Sequence, residues 1–276
     1  MGTGSGKRRI DEDNAKDVKS PLDLPQLSEQ QLKVVDAQVK LHERAEIAVD
    51  VASNKILQTA YQKRREAVKA LPRFWGTALA QHDQLAVLIS GQDDMKALSH
   101  LTDLWIEHDS TEHRAFTILF EFSENPYFSD TVLKKEYKYT PPEGTAIGTG
   151  VDANGVSDAQ AAFDWELHVT PQAIKISWKD DAHNLTKLFP RAVNPEDPED
   201  VEEFGSFFNY FEHGPDAGSI GPTIVQDIYP DALRLYLGEG RMLSDEEIDS
   251  EDDDESDDED DEIDLEQPRR KKPKQA

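Results

Sequence analysis

The chain has 276 residues, 57 acidic against 30 basic side chains and a formal charge of −27, and it lacks cysteine. Disulfides, thiolate metal sites and thiol catalysis are therefore excluded. No run of roughly 18 apolar residues occurs and residues 1–20 lack an apolar core, so neither a membrane span nor a secretory leader is expected. A field of this sign repels nucleic-acid backbones and favours basic protein partners.

Residues 1–25 are too polar to bury a core and are expected to be disordered. The first organised element, over 26–77, is a long helix. Ser28 and Gln31 have capping-box spacing, Leu27 and Leu32 stand where a hydrophobic staple needs them, and neither Pro nor Gly occurs between Glu29 and Ala70. Pro72 then stops the helix, after roughly 60 Å at about 1.5 Å per residue. Leu27, Val34, Leu41 and Ala48 recur every seven residues, Ala45 and Ala52 fall on intervening turns, and Ile56 extends the stripe. Such a rod needs a partner along its apolar side, and pairing between two copies is expected, with packing on its own domain as the alternative.

Residues 78–243 read as an α+β domain. Short helices are expected from about Gly76 and over 93–101. The segments "LTDLWIEHD", "AFTILFEFS", "VLKKEYKYT", "AAFDWELHV" and "AIKISWKD" then suit an antiparallel sheet. In the second, Phe116, Ile118, Phe120 and Phe122 alternate with Thr117, Leu119 and Glu121, as a half-buried strand requires. The Gly- and Pro-rich stretch 141–162 reads as a long mobile loop between strands, and "FPRAVNPEDPEDVEE" as a second loop. Phe204, Phe207, Phe208 and Phe211 have helical spacing, and "IGPTIVQDIYPDALRLYLG" reads as a helix pair broken near Pro230.

Catalytic chemistry is sparse. Glu107, His108, Asp109, Glu112 and His113 match no metal-ligand spacing, and "GTAIGTG" lacks the Lys-Ser or Lys-Thr of a phosphate loop. There is no nucleophile elbow. No enzyme activity, cofactor or metal is expected. The tryptophans, without a basic stripe around them, suit core packing; "QKRREAVK" on the long helix offers a weak accessory DNA contact.

Five motifs in order carry a resemblance: the helix ending "YQKRREAVKALPRFW", "ENPYF" at 124–128, "ISWK" at 176–179 with "NLTK" at 184–187, "SFFNYF" at 206–211 and "DIYPDALRLYL" at 227–237. Together with the acidic tail, they make the chain resemble the nucleosome assembly protein family of histone chaperones, in its SET-like branch. The resemblance implies a homodimer joined by long antiparallel helices, each carrying an α+β earmuff domain whose acidic underside binds core histones of both kinds of pair. It also implies an alternative role, as a non-catalytic inhibitor of histone acetylation or of a protein phosphatase. Carried over by position, it places Asn184, Thr186 and Lys187 near the underside, with Asp180 and Asp181 from the loop before them and Asp227 and Asp231 from the last helical segment. Glu202 and Glu203 are weaker candidates. The insertion 141–162 and the basic ending depart from the family pattern.

Charge distribution agrees with a core-based surface: residues 78–244 carry −18, and the tail from Asp245 carries −12. The tail, 244–276, is expected to be a disordered accessory. Its basic end, Arg269, Arg270, Lys271, Lys272 and Lys274, reads as a nuclear import signal. A nuclear address follows, with shuttling to the cytoplasm compatible with it. Ser244, Ser250 and Ser256 precede acidic residues and suit an acid-directed kinase.

Overall fold

A computed structural model of the chain describes residues 27–89, 91–194 and 197–239. The expectations for residues 1–25, the acidic tail, its serines and the import signal lie outside the described residues.

Helix α1 runs Glu29–Val68 and starts as its sequence dictates: Ser28 Oγ accepts from Gln31 N, and the Gln31 side chain accepts from Ser28 N at 2.9 Å. One face docks on the domain. Tyr61 meets Tyr229 edge-on at 4.8 Å, and the Arg64 guanidinium lies over the Tyr61 and Tyr229 rings at 4.6 and 4.4 Å. Arg65 bonds Asp103 and, at 2.9 Å, Glu121 Oε1. The two arginines read as a DNA contact are thus engaged in holding the helix to the sheet. On the other face Leu27, Val34, Leu41, Ala52 and Ile56 are exposed, Ile56 at 73%, while Ala45 and Ala48 are half-buried.

Three short helices follow: α2 (Phe74–Gln81), α3 (Asp83–Leu88) and α4 (Gln92–Leu98). A four-stranded antiparallel sheet then forms in the order β1 (Leu101–His108), β2 (Phe116–Phe122), β3 (Val132–Tyr139) and, after two short helices, β4 (Val169–Pro171). Leu104 pairs with Phe120 and Phe120 with Leu133, so the alternation read in "FTILFEF" places Phe116, Ile118, Phe120 and Phe122 inward.

Several expectations are corrected. "AAFDWELHV" is not a strand: its middle forms α6 (Trp165–His168), after α5 (Asp158–Ala161). Asp164 caps α6 by accepting from Leu167 N at 3.1 Å, and the apparent alternation leaves Leu167 76% exposed. In "AIKISWKD" only one bridge forms, Phe128 with Trp178. The rest of this segment bonds to a loop and to side chains, including Ile176 N to Glu212. After α7 (Leu185–Leu188), the stretch read as a loop holds a two-stranded sheet, β5 (Ala192–Asn194) with β6 (Asp197–Glu203).

The aromatic helix is short: α8 spans Asn209–Glu212, with Phe207 and Phe208 in the turn before it and Phe204 outside. Asp94 fixes that turn, accepting from Ser206 Oγ at 2.6 Å and Phe207 N at 2.9 Å; burial raises its pKa. The final helices are not broken at Pro230. Helix α9 (Ile220–Thr223), a π-turn over Ile224–Ile228 and α10 (Tyr229–Tyr236) run on, and Pro230, which has no N–H to give to the turn before it, falls where the π-turn passes into α10.

The 141–162 stretch is an anchored segment rather than a free loop. Arg44 of α1 donates to Asp152 at 2.7 Å, Asp158 at 3.0 Å and the carbonyls of Gly150 and Val156 at 2.9 and 2.6 Å. Arg114, paired with the fully buried Glu112 at 2.6 Å, donates to Gln160 O and covers the Phe163 ring at 4.0 Å. Ser157 and Gln160 form a capping box on α5.

Candidate functional site

The loop between β2 and β3 builds a platform. Asn125 Oδ1 accepts from Tyr127 N and Phe128 N at 2.9 and 3.0 Å, closing the "ENPYF" turn. Trp178 bridges to Phe128 and packs against Phe128 and Phe208, each at 5.7 Å. Lys179 N donates to Tyr127 O at 2.8 Å, and its ammonium group reaches Asn125 O. With residues 178 and 179 tied at backbone and side chain, the next two, Asp180 and Asp181, leave the platform into solvent.

The chain then turns into α7, and Asn184 is its N-cap, accepting from Lys187 N at 2.9 Å. Thr186 is half-buried; its hydroxyl lies 2.9 Å from Asn184 Oδ1 and 2.6 Å from Glu212 Oε2. Asn184 and Thr186 therefore shape the site, whereas the open carboxylates belong to Asp180 and Asp181. Asp180 bonds the His183 ring at 2.8 Å, which lowers the Asp180 pKa, and accepts from His183 N at 3.0 Å. Asp181 pairs with Lys187 at 2.6 Å and stays 81% exposed. Asp180, Asp181 and Asn184 line an open cavity of about 530 Å³ with Lys175, Ile176, Ser177 and Trp178.

One organising residue escaped the sequence reading. Glu212, at the end of α8, accepts from Ile176 N at 3.1 Å, Trp178 Nε1 at 3.2 Å and Thr186 Oγ1 at 2.6 Å. It joins the two site-forming segments to the aromatic core. The available signal was an acid directly after "SFFNYF", a position with no solvation rationale beside so many buried rings.

The remaining candidates stand apart. Glu202 and Glu203 are exposed on β6, Asp227 on the π-turn and Asp231 on the first turn of α10. Among the described residues, no hydrogen bond or ion pair joins them to the 180–187 group. Gln226, next to Asp227 in the chain, lines a second cavity of about 720 Å³ beside α1, together with Tyr61, Trp105, Trp165 and Tyr229.

The acid and histidine cluster of the β1–β2 turn serves structure. Glu112 is buried against Arg114, and burial holds the His108 and His113 pKa values low. Among the described residues no group of three or more His, Cys, Asp or Glu is arranged to hold a metal ion, and no helix is long and apolar enough to cross a membrane.

The family model described as "Nucleosome assembly protein (NAP)" matches residues 18–268. NAP1-related protein 2 of Arabidopsis thaliana is 28% identical over 192 residues, covering 65% of this chain and 72% of that protein. Protein SET of Drosophila melanogaster is 28% identical over 193 residues, covering 69% of this chain and 64%, just under two thirds, of that protein. Among solved structures, that of a Ccp1 mutant superposes with a TM-score of 0.55 at 20% identity, covering 75% of this chain and 94% of the other. That likeness extends to the long helix followed by sheet and helices.

Proposed function

Because this chain belongs to the nucleosome assembly protein family, we propose that it is a non-catalytic histone chaperone that binds core histones through the carboxylates around the 180–187 turn. The observation that carries the reading is the pairing of a rigid turn with open acids. Asp180 and Asp181 project from a backbone fixed by Asn125, Tyr127 and Glu212, within a region of charge −18. Histone Arg and Lys side chains gain charge-assisted hydrogen bonds there that a mobile acidic polymer supplies only at an ordering cost. Occupying those side chains shields them from nonspecific DNA contact and supports assembly or disassembly of nucleosomes.

The exposed seam of Leu27, Val34, Leu41, Ala52 and Ile56 suits a second copy of α1, with Ala45 and Ala48 at its edge. Two acidic surfaces on one dimer add avidity when both engage one histone complex. Glu202, Glu203, Asp227 and Asp231 add exposed carboxylates apart from that turn, and the tail raises local capture. With Arg64 and Arg65 engaged in the fold, DNA contact by "QKRREAVK" is left to the exposed Lys63 and Lys69 and is weak, or is indirect through bound histones. The import-like basic end is consistent with a nuclear site of action, with shuttling.

The test is a pull-down of each purified core-histone pair by the full chain, a chain lacking 244–276, and a chain with Asp180, Asp181, Asp227 and Asp231 changed to Asn. The tail-deleted chain should retain part of the binding and the neutralised chain should lose most of it. Undiminished binding by the neutralised chain, with complete loss on tail deletion, removes the site assignment.

A further inference from the structure

Immediately after Thr186 and Lys187 the chain presents two large apolar side chains to solvent: Leu188 is 46% and Phe189 50% exposed, while Leu185, one turn earlier, is buried at 1%. Val193, four residues on in β5, is 39% exposed. An aliphatic and an aromatic side chain placed side by side in water leave about half of their available burial unused unless they meet something.

The backbone beneath them is fixed. Phe189 N donates to Leu185 O at 2.9 Å, and Phe189 O accepts from both Ser206 N and the amide of Asn209 at 2.9 Å, Asn209 being 1% exposed. Gly205 packs so closely that a Cβ there would stand 2.3 Å from Phe189 O. Pro190 follows and fixes its own φ. Phe189 is thus an exposed ring on an immobilised backbone, which loses little freedom when it binds.

Its surroundings are acidic. Asp180 and Asp181 stand on the turn that enters α7, at whose far end Phe189 lies, Asp181 reaching Lys187 two residues before the ring, and Glu203 pairs across the small sheet with Ala192, three residues beyond Phe189. The neighbouring cation Lys187 is engaged with Asp181, and Arg191 donates to Pro215 O. A small apolar island rimmed by carboxylates complements a basic protein surface with an apolar patch of its own, the arrangement in which a central aromatic anchor supplies most of the binding energy.

We propose that Leu188 and Phe189 are the apolar anchor of this acidic surface and contact an apolar patch on the core-histone partner. The proposal rests on the histone reading and adds a contact that charge alone does not provide. It separates two contributions: the carboxylates act through screened electrostatics, and the anchor acts through burial, which salt does not screen.

The experiment measures the affinity of the full-length chain for a purified core-histone pair from 0.1 to 0.5 M NaCl. It compares wild type, L188S/F189S, F189L and D180N/D181N. L188S/F189S should weaken binding about tenfold at every salt concentration, leaving the slope of log K against log salt unchanged. F189L should restore most of that loss, and D180N/D181N should flatten the slope. If wild type binds no histone, the chaperone reading fails; if wild type binds and L188S/F189S binds equally well, the anchor alone fails. Near-UV circular dichroism and sedimentation of each variant without histone accompany the titrations. A double-serine variant whose histone-free mass differs from wild type assigns the patch to self-association and overturns the proposal.

Discussion

Glu212 shows how one carboxylate supports a surface it does not belong to. Its oxygens hold the backbone of Ile176, the indole of Trp178 and the hydroxyl of Thr186. Glu212→Ala leaves two N–H donors, Ile176 N and Trp178 Nε1, without their acceptor in a partly buried setting, with Asn184 Oδ1 still in reach of the Thr186 hydroxyl, and should cost about 2–3 kcal/mol in urea denaturation. Histone affinity should fall although Asp180 and Asp181 are intact. Glu212→Gln keeps one carbonyl acceptor and should lose less on both measures.

Lys135 offers a second residue-level test, with a definite sign. The side chain is fully buried, its ammonium group donates to His213 O at 2.6 Å, and burial lowers its pKa to about 8 from 10.5. Below pH 8 both folded and unfolded chains are protonated, and the native state bears the whole desolvation penalty. Between pH 8 and 10.5 the unfolded chain binds more protons, so this contribution to stability rises with pH. Wild type should therefore gain on Lys135→Met by up to about 3 kcal/mol across that window, read from urea midpoints at pH 7, 8, 9 and 10.

At the scale of elements, α1 has two sides with different duties. Tyr61, Arg64, Arg65 and Val68 bind it to its own domain, while the seam from Leu27 to Ile56 is left open. Substituting Leu41 and Ile56 together by Asp should shift sedimentation equilibrium from dimer to monomer and leave the near-UV spectrum of the domain unchanged. Loss of that spectrum would instead place these residues in the domain core. Gly150 tests the anchoring of the insertion. Its φ is +62°, and an added Cβ would lie 1.8 Å from Asp158 Oδ2, an acid that Arg44 holds. Gly150→Ala should raise hydrogen exchange across 146–162 and cost about 1–3 kcal/mol.

What the sequence made legible follows from where each element draws its support. The start of α1 and the face of β2 were readable because a capping box and a two-residue alternation are local. The insertion was not, because its order comes from an arginine more than 100 residues away. "ISWK" could not be told from a ladder strand, since its backbone partners are the Glu212 and Asp130 carboxylates and the 127–129 turn. The same division runs through the candidate site: Asp180, Asp181 and Asn184 are neighbours in the chain and come together with the family motif that nominates them, whereas Glu212 joins them only in space.

For the whole molecule the question is where −27 charges act. Removing the tail from Asp245 takes away −12 and leaves −15, of which residues 78–244 carry −18, offset by the +3 of residues 28–77. Capture driven by net charge alone would fall steeply on tail deletion and be reproduced by an acidic polymer of equal charge. Capture by a fixed surface behaves otherwise: deletion lowers the association rate and the salt slope, because fewer counterions exchange, yet preserves the contacts that determine dissociation. Stopped-flow and dissociation measurements with a core-histone pair at 0.15 M salt should therefore show a slower on-rate for the tail-deleted chain and an off-rate within about threefold of wild type. The D180N/D181N variant should show the reverse pattern, a near-normal on-rate with faster release, since the tail still steers the encounter while the turn no longer holds the partner. An equal effect of both changes on the on-rate alone would mean that the 180–187 surface acts only as diffuse charge.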